Sequence, residues 1–279
     1  MHLFAVENVP EVEAGDDLGA MIAERADLQD GDVVCVSHTV VSKAEGRTAD
    51  LADYDPGPQA RDIADRIGAL AGEKKDPRFA QAVIEESDRL LTTEPLLLAV
   101  TKFGHIGVNA GIDRSNVPDA ELLLLPEDPT ASARRLHDEL GVPVVVTDTS
   151  GRPFRHGQRG VALGWAGLPA ARDWRGETDR DGRELGVTVE AVVDELAAAA
   201  NLLTGEGDDG LPVVVVRGFD FGDHGGSDSL FRAPSGDYVQ DALQQWEYDP
   251  ERLARMDDDE SEVDGETDGS TDSGGGDGS

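Results

Sequence analysis

The chain lacks the features that mark secreted and membrane proteins. Cys35 is its only cysteine, so no intrachain disulfide can form and a reducing compartment is expected. No basic segment followed by an apolar stretch opens the sequence, so no signal peptide is predicted. The apolar runs, such as residues 122–125 and 213–216, are far shorter than a membrane span. We therefore expect a soluble, cytoplasmic protein with no membrane partner.

Basic residues are also scarce. Lys and Arg total 24 against 58 Asp and Glu in 279 residues, a net charge of −34, and only four of the basic residues are lysines. Nucleic acid is excluded as a partner, because contacts with its phosphates require a basic patch. Acidic residues spread along the chain, with lysine nearly absent, are typical of adaptation to a salt-rich cytoplasm, where charge repulsion is screened.

Two common nucleotide-binding motifs are absent. No Gly-x-Gly-x-x-Gly follows the first predicted strand, and no Gly-x-x-x-x-Gly-Lys-Ser/Thr occurs anywhere. Predicted strands and helices alternate irregularly, which favours an α+β fold with mixed sheets and packed helices over a doubly wound sheet. The predicted strands cover residues 3–6, 33–37, 142–146, 161–166 and 212–216, with two more inside 96–108. The predicted helices cover residues 16–25, 59–70, 78–91, 129–140, 188–203 and 240–246.

The C-terminal segment differs from the rest in composition. Residues 256–279 hold ten acidic residues, no basic residue and, besides Met256, one apolar residue, Val263. Such a segment cannot bury a core, so we predict a disordered acidic tail. The catalytic domain is expected within residues 1–250.

Two short segments concentrate side-chain oxygens. Residues 109–116 read Asn-Ala-Gly-Ile-Asp-Arg-Ser-Asn and residues 147–155 read Thr-Asp-Thr-Ser-Gly-Arg-Pro-Phe-Arg, each at the end of an apolar strand-like run. This composition suits a hard divalent cation or a phosphate, although ordinary turns use the same residues. Asp113 and Asp148 are candidates for one metal centre, since two neighbouring carboxylates repel unless a cation lies between them. Alternatively, Asp148 caps a turn.

Three further features have both a functional and a structural interpretation. Lys43 suits a phosphate as a compact point charge, or it pairs with Glu45 or another surface acid. Arg152 and Arg155 suit an anionic substrate, or they pair with surface acids. The glycine-rich segment 204–210 is either a helix C-cap or a loop that brings Glu206 to a metal.

In this order, these segments resemble the coenzyme F-420-0:γ-glutamyl ligases, which elongate the glutamate tail of a deazaflavin hydride carrier. The likeness covers nearly all of residues 1–250, and its ordered set of motifs is highly specific. The matching segments are Val9-Pro10 and residues 42–47, 109–116, 124–129, 147–152, 179–185 and 194–205.

The resemblance implies a reaction and its requirements. Members add L-glutamate through γ-linked amide bonds to coenzyme F-420-0, giving F-420-1 and F-420-2, with GTP forming an acyl phosphate. They use a divalent metal (Mg or Mn, two ions per subunit) with potassium, and they form intertwined homodimers of α+β subunits. Two alternatives remain: an amide ligase acting on a different carboxylate, and a metal-dependent GTP-binding protein without ligase chemistry.

The resemblance also implies residue roles. Lys43, Asp113 and Asp148 are expected to be catalytic. The expected metal ligands are Asp113, Asp148, Thr149 and Glu206. The expected GTP contacts are Val9, Pro10, Glu11, Val12, His38, Thr39, Lys43, Asn116, Thr204, Gly205, Glu206, Gly207, Asp208, Asp209, Gly210 and Leu211.

Overall fold

The computed structural model describes residues 1–115, 117–249 and 251. The helices in this part of the chain are α1 (Leu18–Ala23), α2 (His38–Ala44), α3 (Pro58–Ala71), α4 (Pro77–Glu86), α5 (Pro129–Leu140), α6 (Val192–Thr204) and α7 (Tyr238–Gln244). Its strands are β1 (His2–Ala5), β2 (Val33–Ser37), β3 (Thr48–Ala49), β4 (Ser87–Thr92), β5 (Leu98–Thr101), β6 (Ile106–Val108), β7 (Leu122–Leu123), β8 (Val144–Arg152), β9 (Arg155–Ala166), β10 (Ala171–Asp173), β11 (Val189–Glu190), β12 (Val213–Arg217) and β13 (Gly225–Ser227).

A five-stranded mixed sheet, in the order β1-β12-β2-β8-β9, forms the centre of one half of the molecule. Its β2 and β8 run parallel, and the other neighbours are antiparallel. Side chains alternate across the strands, so Val34 and Val36 face a core built with α1, α2 and α5. Val33 and Cys35 face the opposite core, which α6 covers. The sheet is therefore buried on both faces, and its strands are almost entirely apolar.

The second half has a core of its own. Helices α3 and α4 pack with Ile63 and Val83 on Ala99 and Leu122, from the strands of two small sheets. These sheets have the orders β4-β5-β6 and β3-β7, and a third small sheet has the order β11-β10-β13. Two cores with mixed and antiparallel sheets confirm the α+β class.

Several local predictions need correction. The predicted helix 78–91 is wrong in its second part, because the helix ends at Glu86 and residues 87–92 form β4. Pairing with β5 overrides the helical period there. Segment 147–155 is not a loop after a strand but a long β8–β9 hairpin. Residues 38–44, for which no helix is predicted, form α2, with Ser37 as its N-cap.

The remaining predictions concern other parts of the chain. No helix in the described residues is long and apolar enough to cross a membrane. The predicted acidic tail, residues 256–279, lies outside the described residues, as does Asn116.

Two glycines of β9 bring helices directly onto the sheet. A Cβ added to Gly160 would lie 2.3 Å from the carbonyl oxygen of Ala197 in α6. A Cβ added to Gly164 would lie 2.2 Å from the carbonyl carbon of Pro129 in α5. Because both neighbours are backbone atoms, a side chain at either position forces a whole helix to move.

We expect Gly160→Ala and Gly164→Ala each to lower the free energy of unfolding by about 1–3 kcal/mol through overpacking. Gly186→Ala is the matched control, since no atom lies within 4 Å of its added Cβ. Urea unfolding of the three variants and the parent protein measures the effect. Equal stabilities for all of them would contradict the close helix docking.

Candidate active site

A cleft of about 730 Å³ opens between the two halves, and most of the predicted site residues line it. Residues from the start of the chain, α2, the two oxygen-rich segments and the segment after α6 meet there. The predicted residues that line it are Val9, Pro10, Glu11, Val12, His38, Thr39, Lys43, Asp113, Asp148, Thr149, Thr204, Gly205, Glu206, Gly207, Asp208, Gly210 and Leu211. Asp209 does not line the cleft.

Sheet geometry brings His38 and Asp148 together. The parallel strands β2 and β8 place Ser37 opposite Thr147, so the next residue of each strand lies at the same edge of the sheet. Ligands commonly bind at the carboxyl ends of parallel strands. Asp148 is itself within β8, opposite Val161 of β9, and not in a loop after a strand as predicted. Because Asp148 is part of a strand, its carboxylate points in a fixed direction.

A left-handed turn presents Asp113 from the second half of the molecule. Asn109, Ala110 and Gly111 all have positive φ, at 54°, 54° and 71°. At Gly111 an added Cβ would lie 2.5 Å from a methyl group of Leu125, so no larger residue fits. Beyond the turn, the N–H and C=O of Asp113 both bond to Leu123 at 2.9 Å. The backbone of Asp113 is therefore clamped to β7.

His38 lies between the two aspartates. Its Nε2 is 3.4 Å from Asp113 Oδ2 and 3.2 Å from Asp148 Oδ1, and its side chain is only 3 % exposed. Burial opposes the charged imidazole, but the charge of Asp148 and the contacts with both carboxylates outweigh it and raise the pKa of His38 to about 10. Nδ1 of His38 is buried without a hydrogen-bond partner among the described residues. The imidazolium thus neutralises two acids from different halves.

Asp148 and its neighbour Thr149 connect the pair of aspartates to a second pair, Thr149 and Glu206. Burial raises the pKa of Asp148, but the charge and hydrogen bond of His38 outweigh it, so the pKa falls below its usual value. Thr149 Oγ1 donates a 3.4 Å hydrogen bond to Glu206 Oε2. Asn201 Nδ2 donates to the other oxygen of Glu206 at 3.0 Å. All the predicted metal ligands therefore lie in two adjacent pairs, Asp113 with Asp148 and Thr149 with Glu206.

This donor set fits a hard divalent cation. It consists of carboxylate and hydroxyl oxygens, which Mg²⁺ and Mn²⁺ prefer. In the described part of the chain, no three His, Cys, Asp or Glu side chains form a ready-made metal shell. Mg²⁺ in phosphoryl-transfer sites usually takes only one or two protein carboxylates and completes its shell with phosphate oxygens and water. Pairs of oxygen ligands beside an open cleft suit that arrangement.

The one lysine of the cleft pairs with a neighbouring acid. Lys43 forms an ion pair with Glu11, and its side chain is 13 % exposed. The alternative partner, Glu45, is instead bound by Arg135. The predicted pairing with a surface acid is therefore confirmed, with Glu11 as the partner in place of Glu45. The ammonium remains at the wall of the cleft, facing the predicted nucleotide contacts.

Two other predicted features lie outside the cleft or at its border. Arg152 and Arg155 are paired near the tip of the β8–β9 hairpin and do not line the cleft. Helix α6 ends at Thr204, with Gly205 at φ 68° as its C-cap, so the C-cap interpretation is confirmed. The following segment lines the cleft, and its role in bringing Glu206 to a metal stays a prediction.

Sequence reasoning missed some residues that line the cleft. Ser37, His105, Gln158 and Asn201 belong to no oxygen-rich segment and have no metal-ligand spacing. His38 was expected to contact the nucleotide, and its pairing with two acids was not foreseen. Only the three-dimensional neighbours of these residues identify them.

Comparisons with known proteins identify the family of the chain. A family model described as F420-0:γ-glutamyl ligase matches residues 7–218. The chain belongs to this family. The coenzyme F420:L-glutamate ligase of Natronomonas pharaonis is 69 % identical over 249 residues, covering 89 % of this chain and 98 % of the relative. Its namesake in Halobacterium salinarum is 70 % identical over 251 residues, covering 89 % and 99 %. That of Archaeoglobus fulgidus is 46 % identical over 249 residues, covering 87 % and 98 %.

We expect His38→Ala to lower the free energy of unfolding, measured in EDTA, by on the order of 3 kcal/mol, because it leaves buried negative charge unpaired. Adding Asp148→Asn to that variant should recover part of the loss. A four-protein cycle of urea unfolding measures the coupling. Additive effects of the two substitutions would contradict the ion pairs at His38.

Proposed function

We propose that the protein is a GTP-dependent ligase that joins L-glutamate to coenzyme F-420-0 through γ-linked amide bonds, giving F-420-1 and F-420-2. One observation carries the proposal: Asp113 and Asp148 converge in a cleft that also holds Lys43. Family membership and relatives named coenzyme F420:L-glutamate ligase support the choice of substrates. We assign this chemistry to residues 1–250.

The proposed reaction has two steps. A carboxylate of the acceptor attacks the γ-phosphorus of GTP, so that an acyl phosphate forms and GDP leaves. The amine of L-glutamate then attacks the acyl carbon, and the C–O bond to phosphate breaks. Phosphoryl transfer of this kind depends mainly on positioning and on neutralising charge.

We propose two divalent ions, Mg or Mn, with potassium as a helper. Asp113 and Asp148 would hold one ion, and Thr149 and Glu206 the other. When bound, such ions neutralise phosphate oxygens and thereby lower the barrier to phosphoryl transfer. Two cations also allow a strongly acidic chain to accept a polyanionic nucleotide. The pairing of these side chains within one cleft supports the assignment.

Lys43 is the proposed fixed cation for the GTP phosphates. Its ion pair with Glu11 keeps the ammonium in the cleft, and phosphate would replace or share that partner. Residues 9–12, His38, Thr39 and 204–211 are the other proposed nucleotide contacts. Asn116 completes the proposed set but lies outside the described residues.

Assembly and environment are also part of the proposal. We infer a homodimer, because large apolar side chains are exposed on the surface of the subunit. Phe154 at the tip of the β8–β9 hairpin is fully exposed, and Leu202 of α6 is 86 % exposed. The net charge of −34 and the haloarchaeal relatives support work in a salt-rich cytoplasm. Arg152 and Arg155 are proposed to attract the anionic acceptor toward the cleft.

Mass spectrometry of the acceptor tests the function directly. Incubation with F-420-0, GTP, L-glutamate and MgCl₂ should add one and then two glutamyl units, with phosphate released only when all substrates are present. Phosphate release without the acceptor would favour a GTP-binding protein that hydrolyses GTP. Extension of another carboxylate in place of F-420-0 would favour a different amide ligase.

Asp113→Asn and Asp148→Asn should each reduce turnover at least 100-fold, because each removes a negative ligand from the proposed metal pair. Circular dichroism should show an intact fold. Asp30→Asn, an exposed carboxylate outside the cleft, is the matched control and should keep full activity. Near-normal turnover in both cleft variants would exclude this metal site.

A further inference from the structure

His105 is the one buried histidine without a polar partner for its ring in the described residues, which include all six histidines of the chain. His38, the other buried one, pairs with two aspartates. Of the less buried histidines, His137 bonds to a carbonyl oxygen and His224 to Glu177. Neither ring nitrogen of His105 is among the fully buried, unpartnered polar atoms of the described residues, so the ring keeps contact with the solvent of the cleft.

The ring of His105 lies in the wall of the candidate cleft. His105 is in the turn between β5 and β6, and its carbonyl oxygen accepts the N–H of Thr101 at 2.8 Å, which fixes its backbone. Its ring meets Phe231 edge-on, with centroids 6.1 Å apart. It folds close to Gly107, where even an added Cβ would lie 3.4 Å from Nε2. Residue 105 is only 8 % exposed, yet it lines the cleft.

We propose that His105 is the general base that accepts the proton of the L-glutamate amine in the second step of the reaction. This inference rests on the proposed function. The lone pair of the neutral amine forms the C–N bond, and the electron pair of the broken C–O bond leaves with phosphate. One N–H proton moves to a free nitrogen of His105 and passes later to solvent.

The electrostatic surroundings suit this role. Burial lowers the pKa of His105, which favours the neutral ring, the form that can take a proton. Asp148 of β8 and Asp194 of α6 favour the imidazolium once it forms, whereas the charge of His38 opposes it. Phe231 adds no charge. His105 is therefore a base near Asp148, one of the acids that would hold a metal ion.

Trapping with hydroxylamine separates the two steps. Hydroxylamine is largely an uncharged nucleophile near neutral pH and captures acyl phosphates as hydroxamates without needing a strong base. With GTP, F-420-0 and MgCl₂, His105→Gln should form hydroxamate within about twofold of the parent rate. Its rate of amide formation with L-glutamate should fall by about 100-fold or more, the usual contribution of general base catalysis.

His2→Gln, an exposed histidine on β1, is the matched control and should change neither rate. His105→Asn serves as a second variant, and hydroxamate formation itself shows that a variant is folded. A parallel fall of both rates, or unchanged amide formation, would overturn the role of His105. Amide formation by the parent protein without any hydroxamate would instead overturn the acyl-phosphate step of the proposed function, and this inference with it.

Discussion

The contacts of His38 with Asp113 and Asp148 are the interaction on which the candidate site depends. Two carboxylates from separate halves of an acidic chain repel each other, and the imidazolium between them offsets that repulsion. Burial strengthens the effect, since charges interact more strongly away from water. The same convergence leaves oxygen ligands facing an open cleft. Oxygen ligands at an open cleft suit the divalent ion and the phosphate of the proposed function.

Each half of the molecule contributes one acid by a different device. In the first half, the parallel pairing of β2 with β8 sets His38 and Asp148 at one sheet edge. In the second half, the left-handed turn at 109–111 and the clamp to Leu123 direct Asp113 toward them. The cleft therefore depends on how the two cores pack together. Substitutions at the β9 glycines act within the first half, because they displace α5 or α6 from the five-stranded sheet.

Local residue chemistry was enough to select Asp113 and Asp148 as candidate site residues and to predict the α+β class. It did not predict which side chains the two aspartates contact. Asp113 and Asp148 stand out because side-chain oxygens are dense around them, and the ordered segments identified the family. The helix predicted over 78–91 was wrong beyond Glu86, since pairing with β5 is a long-range effect. His105 carries no local signal, because a lone histidine between strands is common. Its significance comes from the missing partner and the cleft, which only the fold reveals.

We propose that Asp113 and Asp148 share a metal ion in the presence of nucleotide. A crystal structure of the protein with GDP and Mn²⁺, with anomalous scattering data recorded at the manganese absorption edge, shows where the ions bind. We expect an anomalous peak within bonding distance of one oxygen from each aspartate and a second peak beside Thr149 and Glu206. Manganese bound elsewhere, or nucleotide bound in the cleft with no peak between the two aspartates, would contradict it.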